Sequence, residues 1–239
     1  MIARIVVLVV LLAASVGASP PGLERWAIAG ISAMVLVAYF RAWRAQEKLR
    51  KWMREARIDN VLESLRAQTS GQDEGVYHLL SATALAAFGY VDKARHALLQ
   101  LERSPVVRSA LEQRLIAEVL LDVFEGSREN AQRKVSLLEA LPVPQGMIDK
   151  KVALLRQGIA SFVRAFSHLA EPGDDARLRG AETAIPLISW AMRYARAIVA
   201  IDTGRAADVK GLLEGAPVWP PGSAYHEYHT ELLSRVGSV

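Results

Sequence analysis

Residues 88–105 read FGYVDKARHALLQLERSP, and this stretch contains the spacing that decides the fold. Gly89 is followed at +5 by Ala94, at +9 by Leu98 and at +16 by Pro105. A glycine can end a helix with a positive φ, a small residue lets the next helix cross closely, and a proline stops that second helix. The stretch therefore predicts the turn and the second half of an αα-hairpin.

The same offsets recur at two other places in the chain. They are occupied by Gly126, Ala131, Val135 and Pro142, and again by Gly204, Val209, Leu213 and Pro220. The first two glycines are 37 residues apart and the last two are 78 apart, which leaves room for one degenerate unit over roughly Met147 to Ala184. A unit of this size cannot bury its apolar face alone, so neighbouring units are expected to stack.

This register resembles the tetratricopeptide repeat, most clearly in Phe88–Ala94 with Leu98, Leu101 and Pro105 behind it. The resemblance covers about three of four units between Glu74 and Pro221, with Val209 in place of the family's alanine. It implies an αα-superhelix whose groove, lined by the first helix of each unit, holds peptide segments or partner helices. Mapped onto this chain, the groove positions are Leu79, Thr83, Gln113, Ile116, Leu120, Tyr194 and Ile198.

These groove positions are largely apolar, which favours an apolar or amphipathic segment as the occupant. The alternative is that the chain's own helices fill the groove. Leu, Ala and Arg dominate residues 58–239 in windows with helical spacing, and strand patterning is scarce. The sequence therefore predicts an all-α domain over 58–239. Its helices are expected near 59–69, 75–88, 91–103, 106–125, 128–141, 147–170, 174–184, 186–203, 205–214 and 223–236.

The amino-terminal residues 1–43 are predicted to be a membrane anchor, with spans at about 2–18 and 24–43. Trp26 to Phe40 contains no charged residue, and aromatic rings stand at both of its edges. The first apolar block, Met1–Ala18, fits either a cleaved signal peptide or the first helix of a hairpin that turns at 19–22. Both interpretations place the chain after Arg41 in the cytoplasm.

A basic segment follows the apolar block directly. Residues 41–57 carry seven Lys or Arg and two Glu, so their net charge is +5, whereas residues 58–239 carry −2 in a chain whose total is +4. Positive charge beside a span is typical of the cytoplasmic side and attracts anionic lipid. We expect a basic juxtamembrane helix over 44–57, with lipid-headgroup contacts from Arg41, Arg44, Lys48 and Lys51. Nucleic acid is not an expected partner, because no recognition motif accompanies the charge.

The chain shows no motif of a known catalytic or nucleotide-binding site. It has no cysteine, which removes disulfides and thiolate chemistry. His226 and His229 share one helix face, but their spacing differs from that of zinc proteases and no third ligand is evident. We therefore expect no cofactor, no metal site and no enzymatic activity.

Three functions remain after these observations. The first is a protein-interaction scaffold or assembly factor in a bacterial inner membrane, with its repeat domain in the cytoplasm. The second is a structural subunit of a membrane complex, whose repeats serve as an oligomerisation platform and can form a homo-oligomer. The third is an enzyme with an unrecognised site near His226 and His229.

Overall fold

A computed structural model describes residues 44–101, 110–142 and 149–237. Every regular element in these ranges is helical, which confirms the predicted all-α class for this part of the chain. Residues 44–54 are helical, and a compact unit runs from Arg50 to Val239. Its helices are α1 (Ile58–Gln68), α2 (Glu74–Ala87), α3 (Val91–Leu101), α4 (Leu111–Phe124), α5 (Arg128–Ala140), α6 (Asp149–Phe166), α7 (Asp174–Ala184), a 3₁₀ turn (Pro186–Ile188), α8 (Ser189–Asp202), α9 (Asp208–Leu212) and α10 (Ala224–Gly237).

The two predicted membrane spans, 2–18 and 24–43, lie outside the described residues. Within 44–101, 110–142 and 149–237, no helix combines the length and the apolar character that crossing a bilayer requires. The basic helix predicted over 44–57 is observed over 44–54.

The helices after α1 pack as successive pairs. α2 packs on α3, α4 on α5, α6 on α7, and α8 on α9. We call α2, α4, α6 and α8 the first helices, because each opens a pair. α2 also packs on α4, α4 on α6, and α6 on α8, so the first helices form one continuous surface, here called the first-helix face. Each pair thereby buries an apolar stripe that it could not cover alone.

The predicted glycines end three of the four first helices. Gly89, Gly126 and Gly204 have φ angles of 74°, 76° and 74°. In each case the amide after the glycine donates to a carbonyl five residues earlier, as in the bond of 2.9 Å from Tyr90 N to Leu85 O. This geometry satisfies carbonyls that a helix end leaves without partners. The chain can then reverse into the second helix within a few residues.

The degenerate unit uses the same turn without a glycine. His168 adopts a φ of 56°, and Leu169 N donates to Arg164 O over 2.9 Å. The His168 ring also lies 3.1 Å from the carboxylate of Asp202 at the end of α8. α6 consequently ends at Phe166, four residues before the end predicted from the sequence. A left-handed conformation is uncommon for a residue with a side chain, which is why the spacing rule missed this turn.

α6 and α7 cross at a point with no free space. A Cβ atom built on Gly158 would lie 2.3 Å from the Cβ of Ala181 and 3.4 Å from the sulfur of Met192. The pair of small residues therefore permits this close approach of two helices. It supplies in the degenerate unit the close crossing that Ala94 and Ala131, both without exposed surface, supply in theirs.

A buried carboxylate also joins α6 to α7. Asp174 has no exposed surface and accepts hydrogen bonds from Arg164 (2.6 Å) and Ser161 (2.7 Å) on α6, and from the Glu171 amide (2.9 Å). Burial alone would raise the pKa of Asp174, but these hydrogen bonds outweigh it and hold the pKa well below its usual value. Asp174, the first residue of α7, therefore holds α6 and α7 together.

We expect Gly158→Ala to destabilise the protein by about 1–3 kcal/mol, because the added methyl group overpacks the α6–α7 crossing. Gly211→Ala is the matched control, since Gly211 is a helical glycine with no atom within 4 Å of the added methyl. That control should be neutral or stabilising by up to ~1 kcal/mol. Thermal melting of the two full-length variants measures the difference. Equal melting temperatures would contradict the close crossing.

Candidate functional site

The first-helix face is divided into two parts, and the C-terminal helix α10 covers one of them. α10 is fastened to the end of α2 by three hydrogen bonds. Ser223 Oγ donates to Phe88 O over 2.7 Å, Tyr225 Oη to Ala87 O over 3.2 Å, and the Ala224 amide to Gly89 O over 2.9 Å. These bonds join residues more than 130 positions apart in sequence, so they fix α10 against the beginning of the array.

Aromatic rings hold α10 against the other first helices. The Tyr225 ring stacks on Tyr194 of α8 at a centroid distance of 4.6 Å and meets Phe124 of α4 edge-on at 5.3 Å. One turn later, the Tyr228 ring meets Phe166 of α6 edge-on at 5.2 Å. Aromatic pairs in these geometries add about 0.5–1.5 kcal/mol each beyond the area that they bury. α10 thus contacts rings from three of the four first helices.

A short chain of hydrogen bonds runs through this aromatic cluster. Trp219 Nε1 donates to Tyr194 Oη over 2.7 Å, and Tyr194 Oη lies 2.8 Å from His229 Nδ1. An indole can only donate, so the Tyr194 hydroxyl proton is available for His229. The Nδ1 atom of a neutral imidazole accepts this hydrogen bond. Burial lowers the pKa of His229, which also favours its neutral form.

The predicted groove residues separate into two groups. Leu79, Leu120, Tyr194 and Ile198 are buried in the packed interior or close to α10. Leu120 and Tyr194 have no exposed surface at all. The ring of Tyr225 on α10 lies against Tyr194, so an incoming partner would reach Tyr194 only after α10 had moved. Thr83, Gln113 and Ile116 lie in a different place, and they come together in an open cleft.

This open cleft lies along the amino-terminal halves of α4 and α6 and has a volume of about 400 Å³. The buried side chains of Ile116 and Ile188, which are 4% and 1% exposed, form an apolar floor. The Thr83 hydroxyl donates to Leu79 O over 2.9 Å, so its hydrogen is not available to a ligand. The full lining consists of Thr83, Ala110, Glu112, Gln113, Ile116, Val152, Leu155, Ile185, Leu187 and Ile188.

Besides Thr83, two polar side chains stand among these apolar walls. Glu112 accepts a hydrogen bond of 2.9 Å from Arg156, a buried side chain that also donates to the carbonyl oxygens of Leu141 and Pro142. Gln113 is half-buried, and its amide makes no hydrogen bond with any residue that the structure describes. The cleft therefore offers one anchored carboxylate and one carboxamide that can both donate and accept.

Sequence reasoning missed seven of the ten residues that line the cleft. Val152 and Leu155 belong to α6, whose unit lacks the glycine register, and Leu187 and Ile188 belong to the 3₁₀ turn before α8. The available signal was the i,i+3 spacing of Val152 and Leu155 at the start of α6, which places both on one helix face.

The other singled-out residues have local roles. His226 Nδ1 donates to Trp219 O over 2.9 Å, and His229 Nδ1 lies 2.8 Å from the hydroxyl of Tyr194 on α8. Among the described residues, no three His, Cys, Asp or Glu side chains are grouped as a metal site would need. Arg44, Lys48 and Lys51 are exposed, and Arg41 lies outside the described residues.

Comparison of the chain with models of protein families, with curated proteins and with solved structures found no match.

We expect the protein to become less stable as the pH falls from 7.5 towards 5. The folded state binds a proton at His229 less readily than the unfolded state, because the pKa of His229 is lowered on folding. The stabilisation is therefore complete above the unfolded pKa and is lost as the pH falls through the folded pKa. Melting temperatures across this range measure the effect. His229→Gln should flatten the profile, and an unchanged slope would contradict the role given to His229.

Proposed function

We propose that this protein is a membrane-anchored scaffold or assembly factor, whose helical domain holds an apolar segment of a partner protein in the open cleft. The observation that carries the proposal is the cleft itself. It measures about 400 Å³, lies on the first-helix face and includes three of the seven positions expected from the repeat register. Stacked helix pairs commonly bind partners on such a face.

The chemistry of the cleft supports an apolar occupant. Its aliphatic walls favour burial of apolar surface, which is worth about 25 cal/mol per Å² removed from water. Glu112 is already neutralised by Arg156, so the cleft has no free charge with which to select a charged peptide. Gln113 can fix the orientation of an occupant through one or two hydrogen bonds. The proposed tetratricopeptide-like character of the domain agrees with this use of the face.

The membrane part of the proposal is supported by the amino-terminal sequence. Trp26 to Phe40 is apolar and is followed by the basic segment, whose Arg44, Lys48 and Lys51 are exposed. Anionic headgroups attract such residues at about 1 kcal/mol each. We therefore propose that the helical domain lies on the cytoplasmic side of the inner membrane. The net charge of −2 over residues 58–239 gives no reason to add nucleic acid as a partner.

The alternative is a structural subunit that uses the same face to bind a second copy of itself. In that case a second copy of this chain that carries a different tag co-purifies with the wild type, and no other protein does. No cofactor enters either proposal.

We expect Gln113→Arg to reduce the partner that co-purifies from detergent-extracted membranes by about tenfold, which corresponds to ~1.4 kcal/mol. The longer, charged side chain would fill the cleft and would lose hydration when an apolar segment binds. Gln157→Arg is the matched control, because Gln157 is exposed on α6 away from the cleft lining. Quantitative mass spectrometry of tagged wild type and both variants provides the measurement.

Equal melting temperatures of the two variants would show that both are folded. The proposal is wrong if wild type retains no protein above an untagged control. It is also wrong if both variants retain the partner equally.

A further inference from the structure

α10 shows how the first-helix face binds a helix. Its contacts repeat at helical spacing, with Tyr225, Tyr228 and Leu232 at positions i, i+3 and i+7. Tyr225 and Leu232 are buried, whereas His226 and Glu227 are exposed. α10 is thus an amphipathic helix whose aromatic and aliphatic anchors enter the face while its polar side remains in solvent.

The open cleft continues the surface on which α10 is seated. On α4, Ile116 in the cleft is followed one turn later by Leu120 and one turn after that by Phe124, which contacts Tyr225. On α6, Leu155 in the cleft stands on the same helix as Phe166, which contacts Tyr228. The two parts are therefore successive portions of the same helices, and α10 covers only the carboxyl-terminal portion.

The scarcity of polar groups in the cleft selects the backbone conformation of the occupant. An extended peptide exposes one N–H and one C=O per residue, and burying them without partners is costly. Three polar side chains line the cleft. Glu112 is already bonded to Arg156, the Thr83 hydrogen is donated to Leu79 O, and Gln113 is the one that can still donate. A helix satisfies its backbone groups internally, so an apolar cleft can receive it without supplying hydrogen bonds.

We propose that the partner segment is an amphipathic α-helix that lies across α4 and α6 in the open cleft, on the part of the first-helix face that α10 leaves uncovered. Aliphatic or aromatic side chains one turn apart fill the cleft, and a polar group at the edge of the helix bonds to the Gln113 amide. This inference rests on the proposed function and adds the conformation and chemistry of the bound segment.

The test places the photo-reactive residue benzoylphenylalanine at one position at a time in the full-length protein in native membranes. Gln113 and Leu187 both line the cleft, and Gln157 outside it is the control. After irradiation, mass spectrometry identifies the residues joined to each position. We expect the partner residues joined at Gln113 and at Leu187 to be three, four or seven positions apart, the spacing of one helix face.

Once the cross-linked residues of the partner are known, a variant of the partner tests the helix directly. A proline placed between the two cross-linked partner residues should weaken co-purification at least tenfold, because it breaks a helix. An alanine at a neighbouring, uncross-linked partner position should leave co-purification unchanged. Thermal melting of each benzoylphenylalanine variant checks that the protein itself is folded.

The other outcomes overturn the inference in distinguishable ways. Cross-links to adjacent or alternate partner residues, or indifference to the proline, would mean an extended peptide and would leave the scaffold function standing. A lipid adduct alone, or an adduct only to a second copy of this chain, would replace the partner helix with that occupant. No adduct above the Gln157 control would contradict both the inference and the proposed function.

Discussion

A pair of helices exposes an apolar stripe that only another element can cover, and this constraint governs the described part of the chain. Each first helix covers the stripe of the one before it, and the turns that make the pairs possible give carbonyls at the helix ends hydrogen-bond partners. The end of the array is closed by α10, which lies on the face that the first helices share. The open cleft is what remains of that face. The architecture and the candidate site therefore have one physical origin.

The same constraint explains which parts of the fold were predictable. Gly89, Gly126 and Gly204 indicate their turns because glycine tolerates a positive φ, and the helix ends before them were predicted to within one residue. The helix after Gly204 is shorter than predicted, Asp208–Leu212 instead of 205–214. His168 makes an equivalent turn, but a histidine in the sequence does not indicate a positive φ as a glycine does. Its position depends on the Leu169 amide bond and on Asp202, which is 34 residues away in sequence. Contacts between residues so far apart are not visible in local spacing.

The candidate site was predictable only in part. The resemblance to the tetratricopeptide repeat assigned Thr83, Gln113 and Ile116 to a groove, and the three residues do share the cleft. The same reasoning also selected Leu120 and Tyr194, which the structure buries in the interior. Nothing in the local pattern around Tyr194 shows that Tyr225 and Trp219 will cover it, since the covering residues come from a helix and a linker with no repeat register. An apolar helix face can be recognised in the sequence, whereas the element that covers it is determined by the tertiary structure.

The position of Tyr225 has a consequence for how the protein is made. Of the described elements, α10 is the last to leave the ribosome, because synthesis proceeds from the amino terminus. Until it emerges, the rings of Phe124, Phe166 and Tyr194 lack their cover, although the helix pairs that carry them are already complete. A nascent chain would therefore expose this aromatic surface until α10 has been synthesised. A premature stop before Tyr225 would leave that surface exposed and the product prone to aggregation.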